Sequence, residues 1–250
     1  MPRFFLPAPA VCGGTLELTG DAAAHARVLR LRPGDGVTVC DGAGTDYRCT
    51  VTDADGRRLV LAVAGSGPAL GEPRVQVRVM MAFPKADKLE HVIQKATELG
   101  AAEIVAFPSS RCVSRPDGAS LPRKLERWQR IAASAAEQSG RGRIPAVRAL
   151  GSFQEALAEA AAQDFAALLY ENARRLSFRA AVGDGGFASA ALLTGPEGGF
   201  SPEEAEAAAA AGIPLCSLGP RILRCETAPL CALSALMFAC GELDGGDRIN

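Results

Sequence analysis

The sequence predicts an α/β protein in which a small β-rich domain precedes a larger domain built on a mostly parallel sheet. Three observations support this prediction. Strand-like runs dominate the first part of the chain, strands alternate with helices in the rest, and a glycine- and proline-rich stretch at residues 64–74 separates the two parts. We therefore place the first domain at residues 1–70 and the second at residues 75–250.

Strand-like runs and one short helix make up the first predicted domain. Gly-Asp and Asp-Gly turns separate runs of apolar and β-branched residues, which is typical of hairpin-connected strands. A short helix is expected over about residues 22–31. The predicted strands cover residues 15–18, 37–40, 47–51 and 59–63.

Apolar strands alternate with amphipathic helices in the second domain, which favours a parallel sheet covered on both faces. The clearest helix covers residues 88–99. Asp87 is its expected N-cap, Glu90 completes a capping box, and Gly100 ends the helix. Further strands are predicted at residues 75–82, 104–107, 167–170, 190–194 and 215–218, and further helices at residues 122–138, after Ser201 and at the end of the chain.

One strand of this domain leads into LLTGPEGGFSPEE, residues 192–204. Its glycines let the backbone turn tightly and approach a ligand closely. Ser201 and Glu204 have the spacing of a capping box, with Pro202 in the first turn of a helix. A loop of this composition at the end of a strand is a candidate binding site.

A second strand leads into LGPRILRCETAPL, residues 218–230. Gly219 and Pro220 end the strand, Arg221 and Arg224 supply fixed positive charge, and Thr227 is the expected cap of the last helix. Open α/β sheets bind small molecules at the carboxyl ends of their strands. The two loops together are therefore the candidate active site.

Composition narrows the class of protein. The chain is 48% apolar and 22% charged, as in globular proteins, and its eight cysteines form no C-x-x-C pair. We expect reduced thiols and no metal site. The first residues lack the features of a secretory signal, and no apolar run has the length of a membrane span. The sequence thus predicts a cytoplasmic protein that does not contact membranes.

A basic segment lies within this nearly neutral chain. Residues 109–148 carry nine Arg and Lys against three acids, whereas the whole chain has a net charge of −1. In the predicted helix at 122–138, Arg123, Arg127 and Arg130 share the face opposite Trp128. Such a row suits phosphate oxygens, but it is equally typical of a solvated helix face.

Five segments resemble one known family. The two loops resemble the C-terminal signature of SPOUT-class RNA methyltransferases, and more narrowly that of the RsmE family, which methylates N3 of a uridine in small-subunit ribosomal RNA. HARVLRLRPGD, residues 25–35, is similar to the amino-terminal PUA-like segment of that family. KADKLEHVIQKATELG, residues 85–100, and AAEQSGRGRIPAV, residues 135–147, are similar to its two central signatures. The five matches occur in the family's order and cover almost the whole chain.

The resemblance implies a PUA-like β-barrel for RNA, followed by a SPOUT-type α/β methyltransferase domain with a trefoil knot. It also implies a homodimer, S-adenosylmethionine as cofactor, and 16S rRNA as substrate in the assembled or assembling small ribosomal subunit. The implied cofactor-binding residues are Tyr170, Thr194, Gly195, Glu197, Gly198, Gly199, Leu218, Gly219, Ile222, Leu223, Thr227 and Ala228. The predicted RNA-contact residues are Arg3, Arg30, Arg111, Arg123, Arg127, Arg130, Arg141 and Arg143.

Methylation at N3 of uridine requires that the N3 proton be lost or that the resulting anion be stabilised. Neither histidine belongs to a catalytic pattern, so two alternatives remain. Glu197 or Glu226 accepts the proton, or Arg221 or Arg224 stabilises the negative charge on the uracil oxygens. We favour the arginines and leave the base open, since Glu197 is equally typical of a turn carboxylate that binds backbone N–H groups.

Three functions remain open at this stage. The first is an rRNA uridine-N3 methyltransferase, the second is a SPOUT methyltransferase with another RNA target, and the third is an RNA- or ribosome-binding protein without catalysis. The final helix is apolar nearly all round, so we expect it to be buried on several sides, in a dimer interface or in a deep monomer core.

Overall fold

The computed structural model describes residues 1–6, 11–55, 57–116 and 118–244. Backbone contacts divide the chain into two units. The first combines Met1–Glu72 with Ala136–Ile144, and the second combines Pro73–Ala135 with Pro145–Asn250. The break falls close to the glycine- and proline-rich stretch, but a short later segment also belongs to the first unit.

A five-stranded sheet in the order β1-β3-β4-β5-β2 forms the first unit. Strand β1 pairs with β3 in parallel and all other neighbours are antiparallel. Alternate side chains such as Leu16, Leu18, Leu59 and Leu61 are buried, as the period of two in a strand requires. The elements are β1 (Arg3–Phe5), β2 (Thr15–Thr19), α1 (Gly20–Val28), β3 (Gly36–Cys40), β4 (Thr45–Ala54) and β5 (Arg58–Pro68).

The predicted linker, residues 64–74, is partly wrong. Strand β5 extends to Pro68 and so includes the first five residues of that stretch. These residues stay paired with β4 as far as Thr45, past a register shift between Arg48 and Cys49. Backbone hydrogen bonds hold the ladder, and they do not require side chains at Gly65 or Gly67. Glycine content alone therefore placed the break too early.

A six-stranded sheet in the order β11-β9-β10-β6-β7-β8 forms the second unit, and every neighbouring pair is parallel. The predicted α/β class with a parallel sheet is thereby confirmed. The elements are β6 (Gln76–Ala82), α2 (Lys88–Glu98), β7 (Glu103–Phe107), α3 (Leu121–Ser139), β8 (Ala146–Ala149), α4 (Phe153–Ala161), β9 (Phe165–Leu169), α5 (Phe178–Val182), β10 (Ser189–Thr194), α6 (Pro202–Ala210), β11 (Leu215–Cys216) and α7 (Ala228–Ala239).

The parallel direction of these strands positions the site. Strands β6, β10, β9 and β11 are consecutive neighbours, so the loops that follow them leave the sheet at the same edge. The two glycine-bearing loops follow β10 and β11. The segment that leads into α2 follows β6, directly beside β10.

Two helix termini differ from the prediction. Helix α2 begins at Lys88 and Gly100 follows it with φ +93°, but Asp87 makes no side-chain cap hydrogen bond. Glu90 instead accepts a hydrogen bond from Arg127 at 2.7 Å, so the predicted capping box is wrong. The cap of α7 also differs, as described below.

The final helix is not buried all round. Leu233, Leu236 and Met237 are fully buried, whereas Phe238 is 69% exposed. A deep monomer core therefore does not cover this side of α7, and the predicted alternative of a dimer interface stays a prediction. The exposed phenyl ring is a large apolar group for a solvated surface.

Candidate active site

The loop after β10, residues 195–201 and here called the first loop, is folded too tightly for side chains at two of its glycines. A Cβ on Gly195 would lie 2.8 Å from the carbonyl carbon of Gly199. Gly199 has φ +64°, and a Cβ there would lie 2.7 Å from Oε1 of Glu171. The N–H of Gly199 donates to the carbonyl of Pro196 at 2.9 Å. Only glycine fits both positions without a shift of neighbouring atoms.

A capping box fixes the carboxyl end of the first loop. The hydroxyl of Ser201 accepts the N–H of Glu204 at 3.2 Å, and Oε2 of Glu204 accepts the N–H of Ser201 at 2.9 Å. The other carboxylate oxygen accepts the N–H of Ser110 at 2.6 Å. The predicted capping box is confirmed, and the buried Glu204 also holds the loop after β7.

Glu197 ties the first loop to the segment before α2. Its Oε1 accepts the N–H of Lys85 at 3.0 Å and lies 2.9 Å from Nζ of Lys88. Burial disfavours the charged carboxylate, but the hydrogen bonds from Lys88 and from backbone N–H groups outweigh it and lower the pKa of Glu197. These contacts match the alternative in which Glu197 binds backbone N–H groups.

The loop after β11, residues 217–227 and here called the second loop, exposes half of its side chains. Ile222 is 86% exposed, and Arg221 and Arg224 are also exposed. Within the described residues, neither guanidinium takes part in an ion pair or a side-chain hydrogen bond. Both cations are therefore available to a ligand.

The predicted cap of α7 is wrong. Thr227 has helical dihedral angles, φ −87° and ψ −39°, and its side chain makes no cap hydrogen bond. An N-cap residue normally has extended dihedral angles that turn its hydroxyl towards the first free N–H groups. The second loop thus joins its helix without the anchor that Ser201 provides in the first.

Lys88 is a site residue that the motif analysis did not single out. Besides Glu197, its Nζ lies 3.5 Å from Oε2 of Glu226 and 3.7 Å from Sγ of Cys225. A signal was present in the sequence, because Lys88 lies in a family signature after a strand that neighbours β10. Glu171, after β9, lines the same cavity.

Cys225, in the second loop, lies beside these charged groups. Burial, together with a hydrogen bond to Glu226 and the nearby charge of Glu197, raises the pKa of Cys225 to about 12. Thiols react as thiolates, so this cysteine does not act as a nucleophile at neutral pH.

Both loops line one cavity of about 430 Å³, which is within the range of small-molecule sites. The three predicted catalytic residues Glu197, Arg221 and Arg224 line it. Thr227 does not, so its prediction as a cofactor contact is not supported. The other predicted cofactor contacts all line the cavity, namely Tyr170, Thr194, Gly195, Glu197, Gly198, Gly199, Leu218, Gly219, Ile222, Leu223 and Ala228.

Groups of both charges line this cavity, with the cations in excess. The carboxylates are Glu171 and Glu197, and the cations are Lys88, Arg221 and Arg224. Backbone groups from both loops and apolar side chains from the second complete the wall. Such a wall offers partners to a small molecule that carries apolar, polar and charged groups.

The predicted RNA-contact arginines fall into three classes. Arg141 is 3% exposed and pairs with Glu72 at 2.8 Å, so it is not available to RNA and its prediction is wrong. Arg3 donates to both carboxylate oxygens of Asp46, at 2.5 and 2.7 Å, and is likewise occupied. Arg127 pairs with Glu90, and Arg111 donates to the carbonyl of Gly198 at 2.8 Å, although both are exposed. The remaining four are exposed, namely Arg30, Arg123, Arg130 and Arg143.

The described residues contain neither a metal-binding cluster nor a membrane-spanning helix. No group of three or more His, Cys, Asp or Glu side chains is arranged to hold a metal ion. Across the same residues, every helix is too short or too polar to cross a bilayer.

Comparison with known proteins identifies the family. Residues 71–237 match the family described as RNA methyltransferase domain, and residues 18–64 match the RNA methyltransferase PUA domain. The protein named ribosomal RNA small subunit methyltransferase E from Bacillus subtilis (strain 168) is 36% identical over 240 residues, which cover 94% of this chain and 93% of that protein. The protein of the same name from Mycobacterium tuberculosis is 37% identical over 231 residues, 90% of this chain and 86% of that protein.

A solved structure gives the same result. Ribosomal RNA small subunit methyltransferase E from Neisseria gonorrhoeae, crystallised with S-adenosyl methionine, superposes with a TM-score of 0.85 and 32% identity. The match covers 95% of this chain and 97% of that one. The resemblance stated from the motifs is confirmed, and the chain belongs to the ribosomal RNA small subunit methyltransferase E family.

Proposed function

We propose that this protein transfers a methyl group from S-adenosylmethionine to N3 of a specific uridine in 16S rRNA. The observation that carries the proposal is the cavity at the carboxyl ends of β9, β10 and β11. Two glycine-bearing loops line that cavity, and so do Arg221 and Arg224, which form no ion pair with any described residue. The chain's membership of this family gives the cavity its proposed ligand.

The cavity fits the cofactor on its own geometry. Gly195 and Gly199 line the cavity without side chains, so backbone groups of the first loop would be open to a ligand there. Backbone groups of Leu218, Gly219 and Ile222 would hold the adenine and ribose. When bound, S-adenosylmethionine supplies a methyl group activated by its sulfonium. The task left to the protein is to align the attacking nitrogen and to stabilise its charge.

Arg221 and Arg224 are proposed to stabilise the ionised uracil. Deprotonation at N3 places negative charge on the flanking oxygens, and a guanidinium presents N–H donors to such oxygens in a fixed plane. Both arginines line the cavity and are exposed. Their charges are thus present before the substrate binds.

A carboxylate base fits the site less well. Burial opposes the charge of Glu226, yet hydrogen bonds from its own backbone N–H and from Cys225, with the charge of Lys88, lower its pKa. The pKa of Glu197 is lowered as well. Carboxylates with lowered pKa values are weak proton acceptors. We therefore assign the ionisation to the arginines, with the proton passing to solvent.

The rest of the chain is proposed to bind rRNA. The first domain, residues 1–70, would act as the PUA-like RNA-binding domain, and residues 75–250 would bind the cofactor and carry out the transfer. Arg123 and Arg130 supply exposed charge on α3, and Arg143 supplies it in the segment that follows this helix. Phosphate contacts by such groups add affinity without sequence information.

A homodimer, a trefoil knot and a cytoplasmic location complete the proposal. The exposed Phe238, at 69%, and Leu243, at 52%, favour a second copy as the cover for this side of the methyltransferase domain. An enzyme that modifies 16S rRNA in a small subunit would act in the cytoplasm.

The test is methyl transfer followed by nucleoside mapping. Purified protein and radiolabelled S-adenosylmethionine are incubated with free 16S rRNA or with small subunits from a strain that lacks this family of enzymes. The proposal requires N3-methyluridine at a single position. A methylated base of another kind would make the protein a methyltransferase with a different target. Cofactor binding without any transfer to either substrate would contradict the proposal.

A further inference from the structure

Lys88 lies between the two loops of the cavity. Its Nζ is 2.9 Å from Oε1 of Glu197 in the first loop and 3.5 Å from Oε2 of Glu226 in the second. Sγ of Cys225 is 3.7 Å away. An ammonium group has three N–H donors, and three acceptors from the two loops surround this one. We propose that Lys88 is a positioning residue that fixes the two loops relative to each other, so that the methyl donor meets a preformed site.

Helix α2 gives Lys88 a rigid base. Leu89, Val92 and Ile93 are at most 3% exposed and hold the first turns of the helix against the core. The preceding Lys85 donates its N–H to Glu197 as well, so one short segment contacts the first loop twice. The backbone of Lys88 is therefore held in place by the packed helix. A long side chain can position other groups only when its own backbone is held in this way.

Charge explains why the link is needed. The side chains of Glu197 and Glu226 are 29% and 22% exposed, and the loops bring both carboxylates towards the same point. Lys88 is their shared counter-charge within the described residues, because Arg221 and Arg224 pair with neither. Without the ammonium, two carboxylates would repel each other across the opening between the loops. With Lys88 between them, both carboxylates are instead attracted to one ammonium group, which links the two loops.

This inference rests on the proposed function, because the fixed loops are the proposed cofactor site. Lys88→Met retains most of the side-chain volume and removes the charge. We expect it to weaken binding of S-adenosylmethionine in calorimetry about tenfold or more, as for the removal of a charge-assisted hydrogen bond. Lys95→Met is the matched control, since Lys95 pairs with Glu98 at 2.8 Å on the same helix and does not line the cavity. It should leave the affinity within about twofold.

A double-mutant cycle distinguishes positioning from a general loss of stability. Glu197→Gln keeps an oxygen for the N–H of Lys85 but removes the ion pair with Lys88. The effects of Lys88→Met and Glu197→Gln on cofactor affinity should then combine to clearly less than their sum. Additive effects would overturn the proposal. Normal cofactor affinity together with abolished turnover in Lys88→Met would also overturn it, because Lys88 would then act on the substrate.

Hydrogen exchange tests the same link without any ligand. Lys88→Met should speed exchange at the amides of Lys85 and Gly199, and Lys95→Met should not. Unchanged exchange in Lys88→Met would contradict a positioning role. If the wild-type protein failed to bind S-adenosylmethionine, the proposed function would fall, while this experiment would still decide whether Lys88 fixes the loops.

Discussion

The two loops of the cavity are built in opposite ways. The first is held by the turn of Gly199, by the link from Glu197 to α2 and by the buried capping box at Ser201. The second exposes Arg221, Ile222 and Arg224 and joins α7 without a side-chain cap. The difference suggests a division of labour. The first loop is a preformed wall for the cofactor, and the second presents charge to the incoming RNA.

The largest expected effect comes from the arginines of the second loop. Arg221→Ala and Arg224→Ala should each reduce turnover about 100- to 1,000-fold, as for the loss of a charge-stabilising donor, and change cofactor affinity little. Single-turnover transfer and calorimetry measure the two quantities. Arg179→Ala, an exposed arginine outside the cavity, is the control. Full turnover in both cavity variants would remove the chemical role of the second loop.

The next effect should appear in the first loop. In Gly195→Ala the new methyl group would meet the backbone of Gly199 at 2.8 Å, so the turn must open. We expect cofactor affinity to fall at least about tenfold, because overpacking of this kind costs about 1–3 kcal/mol. Gly67→Ala is the control, since a Cβ there meets nothing within 4 Å. A variant that bound the cofactor normally would show that the first loop is not a preformed wall.

A smaller effect contrasts the two helix starts. Ser201→Ala removes a cap hydrogen bond and should lower the free energy of unfolding by about 1 kcal/mol. Thr227→Ala removes none and should change it by less than about 0.5 kcal/mol. Chemical denaturation measures both values. Equal losses would mean that the loops are anchored alike.

Sequence patterns predicted the first of these loops well and the second less well. The capping box at Ser201 and Glu204 follows from local spacing, and local spacing is what a pattern reports. The position of Lys88 beside Glu197 depends on the order of the strands, which places β6 next to β10. No local pattern contains that order. Parallel pairing could be inferred from the alternation of strands and helices, but not which strands are neighbours.

The charge pattern predicted which face of α3 is exposed, but it did not predict which arginines form ion pairs. The arginine face of α3 is exposed and Trp128 is buried, as the spacing predicted. Arg141 looked equally free in the sequence, yet it is buried against Glu72, which lies 69 residues earlier. Ion pairs between distant residues are set by the fold, so sequence alone overstated the basic surface.

The smallest effect concerns that surface, outside both loops. Arg123→Gln and Arg130→Gln should weaken rRNA binding uniformly across sequences. Each should reduce the slope of log affinity against log salt by about one for every phosphate that the arginine neutralises in the wild-type complex. Cofactor affinity should not change. An unchanged slope would show that this face of α3 does not contact RNA phosphates. RNA binding would then depend on other residues.

The pH dependence of methyl transfer tests the division of labour most directly. Glu197 and Glu226 have lowered pKa values, so their ion pairs are complete above the ordinary carboxyl pKa and are lost only in more acidic solution. Titration of these two carboxylates should therefore cause no change in the methyl-transfer rate near neutral pH. Rates at saturating cofactor should rise with pH as N3 ionises, and in Arg224→Ala this rise should move to higher pH, with activity partly recovered there. A uniform loss of rate at every pH would contradict the claim that the second loop stabilises the ionised uracil.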